Sequence, residues 1–338
     1  MYGRINNVPI TQYKIRIKFK IFFTTPVSMA SRHLALTVPC LTKPCLVRNV
    51  CILAHVDHGK TTLTDSLLAS NGIISVKQAG QIRYMDSRDD EQERGITMQS
   101  SAVTLLYDDG RGGLNGGCGC GKCSDASIVK STDGTMETQM EKLEIKDSQP
   151  KESRKKPTRY LVNLIDSPGH VDFAGQVVSA VRLSDGAVIV VDCVEGVCAQ
   201  TISVLRQARS ERLRLSLFVN KLDRLFTELN MTEEEAAMAL FRVVEQVNAA
   251  YGAIDTLSEE SLFDPITKGN VVFGSAKDGW AFSIDQIALI LSGKLGLDHR
   301  ILRENLWNQS MVYDQTSNAF KQKKSKCAFA QLCLSQIS

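Results

Sequence analysis

Short apolar runs, each followed by a polar or glycine-rich turn and often by helical sequence, recur along this 338-residue chain. Continuous apolar runs of this length are typical of strands that are covered on both faces, as in a parallel sheet. Their alternation with helices predicts an α/β fold, with a doubly wound, mostly parallel sheet and helices on both faces. The predicted strands are Val50–Leu53, Ala102–Tyr107, Leu161–Ile165, Ala187–Val191, Leu215–Val219 and Val271–Phe273.

Helices are predicted between the strands, and one of them carries a start signal. Thr232 and Glu235 have the spacing of a capping box, in which each side chain satisfies a free backbone amide at the start of a helix. In a doubly wound sheet, ligands bind beyond the carboxyl ends of the strands. Polar segments follow four of the predicted strands, so we expect a ligand site at that edge. The predicted helices are Thr62–Asn71, Gly175–Leu183, Thr201–Arg212 and Thr232–Ala250.

The chain divides into three parts, of which the middle one, residues 48–306, is the predicted α/β domain. Residues 108–158 interrupt it with a glycine-rich and then charged stretch, far longer than the usual connection of about 4–6 residues. We expect this insertion to be disordered and to project from a hairpin. Residues 1–47 form a basic extension, interpreted as disordered or preceding a start at Met29 rather than as an organellar transit peptide. Residues 307–338 form a tail that resembles the start of a further domain.

Cysteine usage and hydropathy exclude several classes of protein. Ten cysteines lie scattered along the chain, several of them inside apolar strands, which indicates buried thiols in a reducing compartment such as the cytoplasm. No stretch approaches the roughly 18 apolar residues that span a bilayer, so we expect no membrane-spanning segment. We also expect the protein to be cytoplasmic and monomeric. Three thiols in the insertion supply part of a zinc site, but a fourth ligand is missing nearby, and we interpret that segment as an inert loop. These thiols are Cys118, Cys120 and Cys123.

A phosphate-binding loop is predicted where the first strand meets the first helix. Residues 54–61 have its spacing, with Ala54 in place of the usual first glycine. Backbone amides of such a loop surround phosphates at a helix N-terminus, the lysine reaches the terminal phosphates and the hydroxyl binds Mg²⁺. Lys60 and Thr61 take these two roles. The predicted nucleotide contacts are His55, Val56, Asp57, His58, Gly59, Lys60, Thr61 and Thr62.

Two further segments extend the phosphate site. Asp166 follows directly after a predicted strand, and a carboxylate at a strand end can hold Mg²⁺ through water. Gly169 then offers a backbone amide to the γ-phosphate. His170 follows, at the point where an attacking water would lie. Thr97, in a polar segment ahead of a strand, would close over the γ-phosphate and give Mg²⁺ a second hydroxyl. The catalytic residues predicted are therefore His170, Lys60 and Thr97, and the Mg²⁺ ligands are Thr61, Thr97 and Asp166.

The base site is predicted directly after the strand Leu215–Val219, where the sequence reads Asn220-Lys221-Leu222-Asp223. A carboxylate at Asp223 accepts two hydrogen bonds from the N1 and N2 donors of guanine, and adenine has no matching pair. Sites of that kind discriminate by about 10⁴–10⁵-fold. Lys221 would lie along the base and Asn220 would tie this loop to the phosphate loop or the base edge. An amide of Ser275, Ala276 and Lys277 would reach the guanine O6.

Two other functions remain alongside a GTP-hydrolysing enzyme that uses GTP, GDP and Mg²⁺. An ATPase or kinase is possible on the same fold, although Asp223 argues against it. The second is a nucleotide-bound module that docks without hydrolysing. Competition by excess ATP tests the first, and multiple-turnover hydrolysis of GTP tests the second.

The chain resembles the elongation factor 2/elongation factor G branch of translational GTPases, which have a P-loop GTPase fold. Within that branch it is most similar to the elongation factor-like GTPases of large-subunit maturation. The resemblance extends from about Arg48 to Leu306, apart from the insertion. The phrases that carry it are Arg48–Thr61, Leu67–Ser75 (LLASNGIIS), Arg83–Ser101 (RYMDSRDDEQERGITMQSS), Asp166–Phe173 (DSPGHVDF), Val190–Thr201 and Gly269–Phe282.

This resemblance implies roles that the residues alone do not establish. It implies that Ala54 is normal at its position, that Thr97 is the switch threonine and that Asp57 helps to bind a monovalent cation. It also implies that His170 positions the water when large-subunit ribosomal RNA reorients it, so that intrinsic turnover is very slow. The partners implied are the large ribosomal subunit, a maturation cofactor protein and an anti-association factor that is released. The family continues into further domains, whereas this sequence ends at Ser338.

Overall fold

The computed structural model describes residues 44–80, 82–108, 159–255, 261–314, 316–322 and 327–337. The predicted insertion, its three cysteines and nearly all of the N-terminal extension lie outside these ranges. The strands are β1 (Val47–Ala54), β2 (Ser101–Asp108), β3 (Arg159–Asp166), β4 (Gly186–Asp192), β5 (Arg214–Asn220), β6 (Val271–Ser275), β7 (Trp280–Phe282), β8 (Met311–Asp314) and β9 (Ala319–Gln322). The helices are α1 (Lys60–Ser70), α2 (Asp89–Arg94), α3 (Ala174–Arg182), α4 (Ala199–Ser210), α5 (Leu222–Thr227), α6 (Glu233–Gly252), α7 (Ile284–Leu295), α8 (His299–Leu306) and α9 (Ala328–Leu332).

Seven strands form one sheet in the order β2-β3-β1-β4-β5-β6-β7. The five central strands run parallel to one another, while β2 and β7 pair antiparallel at the two edges. The predicted doubly wound, mostly parallel sheet is therefore confirmed. Because the parallel strands all end at the same edge, the polar segments that follow β1, β3, β5 and β6 meet there.

Both faces of the sheet are covered, which explains why the strands are apolar throughout. Along β1, Cys51 and Leu53 face a core shared with α3, α4, α6 and α7. Ile52 and Ala54 face the opposite side, where α1 contributes Leu63 to a second core. Residues next to each other in a strand point to opposite faces, so a strand between two helical layers has no solvent-facing side chains to make polar.

The helices begin and end close to the predicted positions where local signals are strong. Thr232 and Glu235 form the predicted capping box, since the Thr232 amide donates to Glu235 Oε2 at 2.8 Å and the Glu235 amide donates to Thr232 Oγ1 at 3.3 Å. The first predicted helix starts at Lys60 rather than Thr62, because Gly59 ends the preceding loop in the left-handed region. Short α2 and α5 have too few residues for a periodic pattern and were not predicted.

The described part of the C-terminal segment packs onto the same domain. Phe329 of α9 is fully buried, and its ring centroid lies 5.1 Å from that of Trp307 and 5.9 Å from that of Phe241 in α6. The Cys327 amide donates to Glu234 Oε2 at 2.7 Å. The hydrophobic core thus continues past the boundary at residue 306 that the sequence suggested. Among the described residues, no helix combines the length and apolar character needed to cross a bilayer.

Candidate functional site

The loop from the end of β1 to the start of α1 has a backbone that few sequences can adopt. Gly59 has φ of +90° and Asp57 has φ of +62°, both in the left-handed region that favours glycine. A Cβ on Gly59 would lie 2.4 Å from Asn220 Nδ2. Glycine is therefore required at this position for two reasons, the dihedral angle and the close approach of the base loop.

The predicted phosphate lysine lies inside the site. Lys60 is 8% exposed, and a Cβ on Gly169 would lie 2.9 Å from its Nζ, so a side chain at position 169 would displace the ammonium. Burial lowers the pKa of Lys60, while the carboxylates of Asp166 and Asp86 oppose that fall. The structure thus brings Lys60 and Gly169 together, as predicted from two distant segments.

Thr97, from the polar segment ahead of β2, lies next to Thr61. The two hydroxyl oxygens are 3.2 Å apart, and Thr97 Oγ1 donates to Asp86 Oδ1 at 2.8 Å. Asp86 is 2% exposed and also accepts a hydrogen bond from Arg83 Nε. The hydroxyls of Thr61 in α1 and of Thr97 before β2 are therefore close enough to contact the same ligand.

Asp166 is the most unusual side chain of the site. It is fully buried, and neither carboxylate oxygen has a hydrogen-bond partner among the described residues. Burial raises the pKa of Asp166 to about 6, against the opposing charge of Lys60. A buried carboxylate without partners is costly unless a cation or donor joins it, so these two oxygens fit a divalent cation site beside Thr61 and Thr97.

A cavity of about 240 Å³ lies at the phosphate loop, and Asp166 is not among its lining residues. Its polar lining is suited to phosphate and metal rather than to an apolar ligand. Nine of the predicted site residues line it, namely Val56, Asp57, Gly59, Lys60, Thr61, Thr62, Thr97, Gly169 and His170.

His170 lines the same cavity but is held loosely. Its side chain is 45% exposed, and Nδ1 lies 3.3 Å from both the Asp172 carboxylate and the Asp172 amide. The ring of Phe173 is 6.3 Å away, measured between centroids. His170 is therefore half exposed, in contrast to the buried groups around Lys60.

Asn220 links the base loop to two other segments. Its Nδ2 donates to the His58 carbonyl at 2.9 Å, and its Oδ1 accepts from the Ala276 amide at 2.9 Å. Asn220 is 1% exposed, so both bonds are shielded from water. The expected link between base loop and phosphate loop is present, and the same side chain holds the loop after β6.

The base loop presents one carboxylate without a partner. Asp223 Oδ1 is buried and has no hydrogen-bond partner among the described residues. The Lys221 ammonium is held 2.8 Å from the Asp192 carboxylate. Burial alone would raise the pKa of Asp192, but hydrogen bonds from Lys221 and from the Val194 amide outweigh it and hold the pKa below its usual value.

The loop after β6 completes the wall behind Asn220. Ser275 is fully buried and its hydroxyl exchanges hydrogen bonds with Asp278, whereas Lys277 is exposed. The Ala276 amide, one of those expected to reach a base, is instead committed to Asn220.

The two histidines of the phosphate loop have different surroundings. His58 is fully buried, with Nδ1 at 3.4 Å from the Val190 carbonyl, so its ring faces β4. His55 packs edge-on against it, with ring centroids 5.2 Å apart, and its Nδ1 is buried without a partner. Because both rings pack against the fold, we expect any nucleotide contact of these residues to come from the loop backbone.

Sequence reasoning missed two buried carboxylates that bond the backbone of the segment around Thr97. Asp65 accepts hydrogen bonds from the Arg83 and Tyr84 amides at 3.1 Å each, and Glu91 Oε1 accepts from the Met98 and Gln99 amides at 2.7 and 2.8 Å. Asp65 and Glu91 are both buried. A run of charged residues gives no signal of burial, although Asp86 and Glu91 fall inside a phrase that carried the family resemblance.

The sequence pattern of the elongation factor Tu GTP binding domain matches residues 46–304. The chain belongs to this family. It is a translational GTPase domain, and the resemblance drawn from the phosphate, switch and base segments is confirmed.

Curated relatives of this GTPase domain are named for ribosome assembly. The chain is 43% identical over 308 residues to Ribosome assembly protein 1 of Schizosaccharomyces pombe, a match that covers 86% of this chain and 27% of the relative. It is 40% identical to Ribosome assembly protein 1 of Saccharomyces cerevisiae, over 87% of this chain and 26% of the relative. It is 40% identical to human Elongation factor-like GTPase 1, over 86% of this chain and 25% of the relative. The chain thus spans about a quarter of the length of these relatives.

Proposed function

We propose that this domain binds GTP with Mg²⁺ in the described cavity and hydrolyses it during maturation of the large ribosomal subunit. The observation that carries the proposal is a pair of carboxylates with buried oxygens that have no hydrogen-bond partner among the described residues. These are Asp166 at the end of β3 and Asp223 in the base loop, which Asn220 ties to the phosphate loop. Each lacks the cation or donor pair that a Mg²⁺–guanine nucleotide would supply.

At the base end, Asp223 accepts the N1 and N2 donors of guanine. Adenine would leave this desolvated carboxylate unpaired, which is the physical basis of selectivity. Lys221, fixed by Asp192 at 2.8 Å, packs along the base. Because the Ala276 amide is engaged by Asn220, the Lys277 amide is left to reach the guanine O6.

At the phosphate end, the amides of residues 55–62 and the Lys60 ammonium bind the phosphate oxygens. Thr61 and Thr97 supply hydroxyl ligands to Mg²⁺, and Asp166 holds it through water. When bound, Mg²⁺ neutralises charge on the β- and γ-phosphates. Asp57, whose backbone is left-handed at the cavity wall, is placed to add a carboxylate to a neighbouring monovalent cation.

Hydrolysis requires His170 to orient a water at the γ-phosphate. In the structure this imidazole is half exposed and contacts Asp172, so buried contacts do not fix its orientation towards the γ-phosphate. Intrinsic turnover is therefore slow, and an activator that turns the ring accelerates it. The large ribosomal subunit and its RNA are the proposed activator.

The biological setting follows from the relatives' names and from the family resemblance. Release of an anti-association factor from the large subunit, together with a maturation cofactor protein, is the proposed task in the cytoplasm. Translocation-like elongation is the alternative within the same branch. Both concern the longer proteins, of which this chain matches about a quarter.

The test is multiple-turnover hydrolysis of GTP by the purified chain, with and without large ribosomal subunits. We expect slow turnover alone and acceleration by the large subunit but not by the small one. Tight GTP binding without turnover in either mixture would favour the nucleotide-bound docking module. Equal competition by ATP would reject the base-site assignment.

A further inference from the structure

A second group of metal-binding side chains lies beside the phosphate loop, outside the nucleotide cavity lining. It comprises His58 from the loop, and Glu195 and Cys198 from the connection between β4 and α4. One ligand atom from each lies within 4.8 Å of the others. The three residues are brought together from chain positions up to 140 residues apart.

Two of the three distances between these atoms are those of a tetrahedral zinc site, and the third is within 4.8 Å. His58 Nε2 lies 3.3 Å from Glu195 Oε2 and 3.6 Å from Cys198 Sγ. With zinc bond lengths of about 2.0–2.1 Å to nitrogen and oxygen and about 2.3 Å to sulfur, tetrahedral angles require about 3.3–3.4 Å between N and O and about 3.6 Å between N and S. Both distances from the imidazole are therefore already those of a zinc-bound set.

The surroundings of His58 suit a metal ligand. Its Nδ1 lies 3.4 Å from the Val190 carbonyl and 3.3 Å from the Asp192 amide. In the tautomer that donates to the Val190 carbonyl, the Nε2 lone pair faces Glu195 and Cys198. Ligating histidines are oriented by a hydrogen bond of this kind on the other ring nitrogen. Burial lowers the pKa of His58, so the ring stays neutral, as a ligand must be.

The remaining two ligands are accessible from outside. Glu195 has a side chain 46% exposed and is free to adjust, while Cys198 is half-buried. A metal ion entering from solvent therefore meets the carboxylate first and then the thiol and the buried imidazole. A fourth position is left for water.

We propose that His58, Glu195 and Cys198 form a zinc site next to the phosphate loop, separate from the Mg²⁺ site. The donor sets differ in kind: thiolate and imidazole select Zn²⁺, whereas the hydroxyls and carboxylate at Thr61, Thr97 and Asp166 suit Mg²⁺. Binding displaces the Cys198 thiol proton into solvent, because the thiolate is the ligand. No electron transfer is involved.

Co²⁺ serves as a spectroscopic probe, since a thiolate bound to tetrahedral Co²⁺ gives strong near-ultraviolet absorption. The starting protein is the full chain with Mg²⁺ and GDP, in which Cys118, Cys120 and Cys123 are replaced by serine, so that thiols of the insertion do not contribute. Cys198→Ser and Glu195→Gln are compared with Cys45→Ser, a partly exposed thiol elsewhere. Thermal unfolding checks that each variant is folded.

We expect one equivalent of Co²⁺ to produce the absorption band in the starting protein and in Cys45→Ser, and Zn²⁺ to abolish it by competition. Cys198→Ser should lose the band, and Glu195→Gln should bind Co²⁺ at least about 10-fold more weakly. A folded starting protein without the band would overturn the proposal. In that case the Asp192 amide, 3.3 Å from His58 Nδ1, fixes the other tautomer, and Nε2–H simply donates to Glu195.

Discussion

The base loop and the loop that carries His170 lie at the same edge of the sheet, yet they are held in opposite ways. Asn220 is 1% exposed and bonded to two other loops, so the position of Asp223 is set by the surrounding fold. His170 is 45% exposed in its side chain and contacts Asp172, its near neighbour in the chain. The proposed base-binding residue is thus held by buried contacts of the fold, whereas the proposed catalytic imidazole is exposed.

This contrast has a physical cause. A binding pocket gains affinity when its groups are fixed before the ligand arrives, because no conformational entropy is then lost on binding. A hydrolytic group that is fixed in the same way would turn over GTP continuously. We expect an exposed histidine beside a rigid pocket to keep binding and hydrolysis separate and to leave hydrolysis to an activator.

The largest effect is expected in the base loop, which Asn220 holds in place. Asp223→Asn should lose preference for guanine over xanthine nucleotides, by up to about 10⁴–10⁵-fold, because the amide offers a donor where two donors must be accepted. Competition binding with GDP and XDP measures the change. Glu228→Gln, at the other end of α5, is the matched control and should keep guanine selectivity. Unchanged selectivity in Asp223→Asn would remove this carboxylate from the base site.

A change at the exposed His170 should alter the rate of GTP hydrolysis rather than the affinity for GTP. His170→Ala should bind GTP as tightly as the parent chain but lose about 10²–10⁴-fold in hydrolysis stimulated by large subunits. Single-turnover hydrolysis and nucleotide affinity are measured together, with His299→Ala as a control histidine on α8. Equal stimulated rates in His170→Ala and the parent would contradict the assignment.

A pH titration sharpens the description of the phosphate end. Burial raises the pKa of Asp166 to about 6 in the folded state, compared with about 3.9 in an unfolded chain. The folded protein therefore holds this proton more tightly, and stability without nucleotide should fall by about 3 kcal/mol as pH rises from about 4 to about 6. Urea unfolding at several pH values measures this slope.

Asp166→Asn isolates the contribution of this carboxyl, because the amide does not titrate. Its loss of stability between pH 4 and 6 should be smaller than that of the parent by about 3 kcal/mol. Asp172→Asn removes an exposed carboxylate nearby and should keep the parent slope. Identical slopes for Asp166→Asn and the parent would mean that Asp166 is not the buried acid described.

The smallest effect is expected when the link between the loops is removed. Asn220→Ala leaves the His58 carbonyl and the Ala276 amide without their partner, at about 1–3 kcal/mol, so GDP affinity should fall about 10–100-fold. Asn270→Ala is the matched control, since Asn270 ties a different loop through Leu262 and Asp264. Nucleotide dissociation rates distinguish them. An affinity unchanged in Asn220→Ala would show that the base loop is rigid without this link.

Most of the sheet and the order of the site segments could be predicted, because both depend on local patterns. Runs such as Ala187–Val191 are apolar on both faces, and helices such as α6 carry their own capping box. The polar motifs follow the strands directly, so their arrival at one edge follows from parallel topology. Helix α2 could not be predicted in this way, since its six residues are almost all charged.

The sequence by itself determined which residues follow the strands, and hence that phosphate-binding and guanine-binding groups meet at one edge. Tertiary structure alone decided which of these groups are buried, paired or free. It placed Asp86 beside Thr97 and brought Cys198 to His58 across 140 residues. It also left the Asp166 carboxylate without a hydrogen-bond partner among the described residues. Burial and charge pairing depend on segments far apart in the chain, whereas spacing and periodicity report on neighbours.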